Sequence, residues 1–330
     1  MIEVERISKV FRVARKDPGL SGSLKALFRR TYVERHAVKD VSFRVEEGEI
    51  VGLIGANGAG KTTLVKMLAG IVHPSAGRSR VLGFDPWARD DRFRRQIALI
   101  MGQKAQLWWD LPASDGFELL RDIYRVPEAE FRRALDELTA VLGVGKLLDV
   151  PVRRLSLGER MKMELIAALL PSPKVVYLDE PTIGLDVGAQ RAVREFVLAY
   201  RARRRPAMIL TSHYMDDIER LCKRILILKD GELVFDGPLE RVVTRYADHR
   251  VLTMHLRPEG GSDAGPADFS AIGEVVESTP DVLRIRVPRA QTAAAAAELL
   301  RRLPVADLAI EEPDIGSIIE RIFSERGTPA

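Results

Sequence analysis

The sequence predicts an α/β protein with a largely parallel sheet covered on both faces, followed by a smaller α+β domain. Three observations carry that reading. Short apolar runs at 50–54, 175–178 and 225–228 alternate with segments of helical periodicity, and strands buried on both faces read as continuous apolar runs. A glycine-rich stretch from Gly55 to Thr62, G-A-N-G-A-G-K-T, lies between the first run and a helical segment. The composition changes after Gly237-Pro238, a pair that marks a break.

Taken in order, residues 4–11 alternate as a strand does. Residues 12–35 interrupt it, and strand character resumes at 38–45. Glu46-Glu47-Gly48-Glu49 forms a turn, 50–54 enters the glycine-rich loop, and 63–70 is a helix stopped by Gly70. Residues 85–170 are mostly helical. Within them 117–124 and 128–142 place apolar residues at helical spacing, 97–101 is an apolar strand, and 157–170 is a further helix. Strands return at 175–178, at Ile209-Leu210 and at 225–228. Past 240, strands are expected at 251–256, 275–277, 282–287 and 309–311, an Ala-rich helix at 292–303 and a last helix at 315–323; 258–266 is a loop by composition. The chain thus divides into 1–240, with an insertion at 12–35 and a helical subdomain at about 85–170, and a small domain at 241–330.

Composition narrows the function. Hydrophobic residues are 46% and charged residues 30% of 330, an ordinary globular balance. No apolar run approaches the ~20 residues that span a bilayer, and Met1-Ile2-Glu3-Val4-Glu5 lacks a basic start and apolar middle, so a cytosolic chain is expected. The single cysteine, Cys222, excludes an intrachain disulfide and a multi-thiolate metal cage; core filling is its expected role. Net charge is +4, while residues 12–35 alone carry seven cations against two acids. The remainder is near neutral, which argues against a nucleic-acid face.

The glycine-rich stretch fits the phosphate-cradling pattern G-x-x-x-x-G-K-[ST] in its required strand–loop–helix setting. Gly55, Gly58 and Gly60, with Asn57 and Ala59 between them, let backbone N–H groups turn inward around a phosphate, and the helix N-terminus behind adds positive potential. Lys61 should reach β- and γ-phosphates, Thr62 should offer its hydroxyl to Mg²⁺, and Thr63 should support it. Asp179-Glu180 ends an apolar strand, where α/β sheets place ligands. Asp179 is the expected Mg²⁺ ligand and Glu180 the group that orients the attacking water, because phosphoryl transfer demands positioning and charge stabilisation.

Together and in this order, these stretches resemble the ATP-binding subunit of an ABC (ATP-binding cassette) transporter. Leu155-Ser156-Leu157-Gly158-Glu159 is similar to the family signature L-S-G-G-Q. It departs at Leu157 and Glu159 and keeps Ser156 and Gly158, matching the residues that the family uses on phosphate. The resemblance implies that this motif acts across a dimer, on ATP held by the other copy. Gln103, after strand 97–101, resembles the glutamine that touches Mg²⁺ and senses the membrane subunit; Gln96 and Gln106 compete, but the strand-end position and the downstream Asp110-Leu111-Pro112 favour Gln103. Gly184-Leu185-Asp186 resembles the loop that signals between two ATP sites, and His213, in Thr211-Ser212-His213, the switch histidine on the γ-phosphate. For the aromatic ring that stacks on adenine, Phe11 fits the strand end and Tyr32 the distance to Ala37-Val38; Phe11 is favoured because a strand fixes position better than a loop.

The resemblance further implies a RecA-like P-loop NTPase core with an antiparallel β layer and a helical subdomain. It implies hydrolysis of ATP with Mg²⁺ by a homodimer that drives a separate membrane permease, as an exporter, from the cytoplasmic face of the membrane. Trp108-Trp109 falls where the family's helical subdomain receives the permease, and at least one of the two should be exposed. Stretches similar to 103–112, 157–162 and 211–217 occur in a daunorubicin-resistance-like branch, whose accessory C-terminal domain the tail resembles. The basic insertion is similar to one in polysaccharide-exporter ATPases. There Ser23 could cap a helix with Leu24, Leu27, Phe28 and Tyr32 on one face and Lys25, Arg29 and Arg30 on the other. Anionic lipid head groups, an acidic permease patch and a plain solvated helix are its three readings. Two rivals stand. A soluble ABC ATPase acting on ribosomes or DNA would bring paired cassettes, long coiled-coil insertions or zinc modules, and none is visible; a P-loop GTPase or kinase would leave the signature series unexplained, and no Asn-Lys-x-Asp guanine motif is present. Cargo and direction of transport are not written in the chain.

Overall fold

The computed structural model describes residues 1–15, 31–102, 104–246, 249–257, 269–312 and 315–324. It divides into two compact units, Met1–Gly237 and Pro238–Ala330.

The first unit is built on a six-stranded sheet ordered β5-β6-β7-β3-β8-β9. Its strands are β3 (Ile50–Gly55), β5 (Ile97–Met101), β6 (Val175–Asp179), β7 (Ala207–Thr211), β8 (Arg224–Lys229) and β9 (Glu232–Pro238). Neighbours among β5, β6, β7, β3 and β8 pair in parallel. Every residue of β6 and β7 is buried, which explains their unbroken apolar runs. A second, three-stranded antiparallel sheet sets β1 (Ile2–Arg15) between β2 (Thr31–Val45) and β4 (Ala76–Val81). One core joins the layers: Ile7 and Val41 from the antiparallel sheet, Leu53 and Ile209 from the parallel one, and Leu64 and Leu68 from α1 (Lys61–Leu68). Each such side chain contributes about 1.5–3 kcal/mol by leaving water. The helices needed below are α2 (Ala113–Tyr124), α3 (Glu128–Leu142), α4 (Leu157–Leu169), α5 (Val187–Arg204) and α6 (Met215–Leu221).

The structure differs from the sequence reading at the first interruption. Residues 12–15 and 31–35 are not outside the sheet: β1 and β2 run on as a ladder pairing Phe11 with Arg35, Val13 with Val33 and Arg15 with Thr31. Phe11, Arg12, Val13 and residues 32–36 are exposed, so these side chains show no buried face and lack the alternation that reveals a strand. The helix expected around Ser23 lies outside the described residues. β4, A-G-R-S-R-V, escapes notice for the same reason, with four of its six residues exposed.

The second unit is an antiparallel sheet ordered β11-β12-β10-β13, from β10 (His249–Leu256), β11 (Glu274–Ser278), β12 (Val282–Pro288) and β13 (Val305–Glu311). Ala295, Ala296 and Leu299 of α8 (Thr292–Arg302) pack on Leu252, Met254, Ile285 and Val287; α7 (Leu239–Tyr246) and α9 (Ile315–Ser324) flank this element series in sequence. Among the described residues no helix is long and apolar enough to cross a membrane. Cys222 is buried, and desolvation raises its thiol pKa, as befits an inert core residue.

Candidate functional site

The glycine-rich loop leaves β3 at Gly55 and enters α1 at Lys61. Gly60 takes φ 107°, and a Cβ there would stand 2.2 Å from the carbonyl oxygen of Ala37, so only glycine fits. The turn buries Lys61 to 6% exposure and folds it back on the loop. Its Nζ donates to the carbonyls of Gly55 at 2.5 Å and Ala56 at 3.2 Å. Desolvation lowers the Lys61 pKa, with Glu180 and Asp179 opposing.

Asp179, at the end of β6, gathers two hydroxyls. Thr62 Oγ1 donates to it at 3.0 Å, and Thr211 Oγ1 at 2.6 Å. A buried carboxylate beside a threonine hydroxyl is a hard-oxygen donor set, which fits Mg²⁺. Glu180 follows with φ 57°, a left-handed conformation that costs of order 1–3 kcal/mol outside glycine. Its backbone N–H donates to the Thr211 carbonyl at 3.0 Å, and its carboxylate lies 2.8 Å from His213 Nε2. Glu180 and His213, far apart in sequence, thus meet.

Lys61, Thr62 and Glu180 line an open pocket of about 310 Å³, whose walls also include Phe11, Val13 and Arg35, with Asn57, Gly58, Ala59, Gly60 and Thr63 along the loop; Asp179 and His213 are not in its lining. Strand parity separates the two aromatic candidates. Phe11 and Val13, paired with Arg35 and Val33, share one face of the hairpin. Tyr32, paired with Ala14, falls on the other face and does not line the pocket. Lys9 Nζ sits 5.1 Å from the Phe11 ring centroid, a cation–π contact.

Ser156 N-caps α4 in a capping box. Its N–H and hydroxyl both donate to the Glu159 carboxylate, at 2.9 and 2.8 Å, and the Glu159 N–H returns a bond to Ser156 Oγ at 3.3 Å. The Ser156 backbone bond, then its hydroxyl, lower the Glu159 pKa. Gly158 is required by packing, since a Cβ there would lie 2.9 Å from that of Ala189 on α5. Asp186 caps α5, accepting from the Ala189 N–H at 2.8 Å. Ser156 is exposed, and neither it nor Gly158, Glu159 or Asp186 lines the pocket. Gln103 lies outside the described residues. Its competitor Gln106 donates its side-chain Nε2 to the Leu99 carbonyl at 2.7 Å, a structural bond. Trp108 and Trp109 are both exposed, and the Arg160 guanidinium lies 5.3 Å from a Trp109 ring centroid.

Sequence reasoning missed a buried charged hub behind the site. Asp217, on α6, is fully buried; it accepts from Arg194 at 2.8 Å, from Ser212 Oγ at 2.7 Å and from Thr182 Oγ1. Thr182 follows Glu180 by two residues and Ser212 precedes His213, so one carboxylate anchors both segments. Glu164, 4% exposed on α4, likewise accepts the backbone N–H groups of Gln106 and Leu107, and desolvation raises its pKa. The available signal was an acid at an apolar helical position: such a group needs buried donors.

Two family models match the chain, one described as ABC transporter over residues 38–183 and one as the C-terminal domain of EvrA-like ABC transporters over residues 248–311. The chain is similar to the ABC transporter ATP-binding protein NatA of Bacillus subtilis, 31% identical over 62% of this chain and 82% of that one. It is similar to the Nod factor export ATP-binding protein I of Ralstonia nicotianae, 31% identical over 66% of this chain and 67% of the other. Other relatives are longer, and the chain spans 61% of one and 25% of another. A solved structure described as the ATP-binding subunit of an ABC transporter superposes with TM-score 0.61 at 27% identity, covering 74% of this chain and 92% of that one.

Proposed function

Because the chain belongs to the family of ABC transporter ATP-binding proteins and is an ATPase, we propose that two copies sandwich two ATP molecules head to tail and drive a separate membrane permease. The observation that carries this reading is a separation within one chain. The pocket gathers the phosphate loop and Glu180, while Ser156 stands exposed on a helix N-terminus away from that pocket's lining. A helix N-terminus suits an anion; the Ser156 hydroxyl, held by Glu159 in the free chain, would turn to a phosphate, and the phosphate that suits it is the one in the partner copy's pocket. Gly158 lets the tip sit close on α5, and Asp186, capping that helix, lies at the same seam.

Within each pocket the backbone N–H groups of the loop ring the β-phosphate, and Lys61 exchanges its two carbonyl partners for phosphate oxygens. Thr62 and Asp179, joined by Gln103, would hold Mg²⁺, which supplies neutralisation of charge on the phosphate oxygens. Glu180 orients and polarises the attacking water. His213, paired with Glu180 in the free chain, turns to the γ-phosphate. Thr63 supports the loop, and the Phe11 ring stacks on adenine. In this reading 1–240 is the ATP-binding domain and 241–330 an accessory domain. Trp108 and Trp109 offer rigid aromatic area to the permease, which holds the subunit at the cytoplasmic face of the membrane. Export is the favoured direction, since one relative is named for it.

The test is Glu180→Gln. With ATP this variant should elute as a stable dimer and lose turnover, and the wild-type rate per chain should rise with protein concentration. A strict monomer that hydrolyses ATP equally well at any dilution refutes the sandwich.

A further inference from the structure

We propose that Arg35 is a nucleotide-binding residue, a second cation that grips the phosphate chain of ATP from the hairpin side of the pocket; this rests on the pocket being the ATP site. Four observations place it there. Arg35 lines the pocket, and its Nη2 lies 3.4 Å from where a Cβ on Gly58 would stand, which puts the guanidinium over the phosphate loop. The β1–β2 register pairs it with Phe11, so the ring that takes the base and the guanidinium lie side by side across one hairpin. No hydrogen bond or ion pair engages Arg35 among the described residues, whereas Lys61 is tied to two loop carbonyls and Arg12, on the opposite hairpin face, pairs with Glu34 at 3.4 Å. The pocket wall also carries the Glu180 carboxylate, and both Glu180 and Asp179 act on Lys61, so an incoming polyphosphate gains from another cation.

The chemistry selects phosphate over the base. A guanidinium presents a planar fork of N–H donors that matches two phosphate oxygens, and charge-assisted bonds of this kind are about twice as strong as neutral ones. Arg35 is exposed and packs on no core, so its replacement leaves the fold intact.

The experiment is equilibrium titration of the purified full chain with ATP, ADP and adenosine, at low and high salt. Arg35→Ala should weaken ATP and ADP binding about tenfold and leave adenosine unchanged. Arg35→Lys should fall between, since lysine offers a point charge without the fork. The loss should shrink as salt screens the pair. Nucleotide-free melting curves should match the wild type. Lys61→Ala serves as the reference. If it abolishes ATP binding while Arg35→Ala binds normally, Arg35 has no such role; if Lys61→Ala binds ATP like the wild type, the pocket is not the ATP site and both readings fall. An equal loss for adenosine would also overturn the proposal, because it would move Arg35 to the base.

Discussion

Asp217→Asn probes the link between the buried hub and the chemistry. The substitution keeps shape and removes a charge that is fully buried and paired with an almost equally buried Arg194. Arg194 Nε has no hydrogen-bond partner even in the native arrangement, so little remains to compensate the orphaned guanidinium. Breaking a buried pair from one side costs about 3–5 kcal/mol. In a domain of this size each kcal/mol lowers Tm by about 2–4 °C, so a fall of at least about 6 °C is expected in nucleotide-free calorimetry. Thr182 and Ser212 lose a charged acceptor at the same time, and the segments carrying Glu180 and His213 loosen. A misplacement of about 1 Å costs on the order of 100-fold in rate. At a temperature where the variant is folded, kcat should therefore drop by 10- to 100-fold, roughly, while the KM for ATP, set by the loop and Lys61, changes little. Adding Arg194→Met removes the stranded cation and should restore much of the stability. A Tm within about 2 °C of wild type, or a folded variant with full kcat, would refute the assignment of Asp217 as the anchor of both segments.

Two further outcomes follow from the pocket. The pKa of Lys61 is lowered from 10.5 by desolvation, so the cation is disfavoured in the free chain; that cost is absent above 10.5 and grows as pH falls through the lowered pKa. Phosphate binding reverses the shift, so ATP affinity should fall as pH rises through the alkaline range below 10.5, with proton uptake on binding; calorimetry in buffers of different ionisation heat reads it, and zero uptake there contradicts the role. Phe11→Ala should weaken both ATP and adenosine by about 1–3 kcal/mol, the usual worth of a base–aromatic stack. Tyr32→Ala should leave both unchanged, and the opposite ranking in the same titration overturns the choice of Phe11.

The sequence alone carried the local chemistry of the site. The left-handed glycine turn, the lysine after it and the acids at a strand end are fixed by neighbours a few residues away, so Gly55 to Thr62 and Asp179-Glu180 could be read directly. The apolar runs likewise announced the parallel strands, because burial on both faces leaves a compositional mark. Tertiary structure alone decided what depends on residues distant in the chain. The approach of His213 to Glu180, the sharing of Asp217 by Thr182, Ser212 and Arg194, and the grip of Glu164 on residues 106 and 107 are contacts between separate elements, and no spacing rule encodes them. Which of Phe11 and Tyr32 faces the pocket, and the place of Arg35, turned on the register at the exposed end of a hairpin. Register is set by pairing in space, and a strand exposed on both sides leaves no hydrophobic period from which to count it.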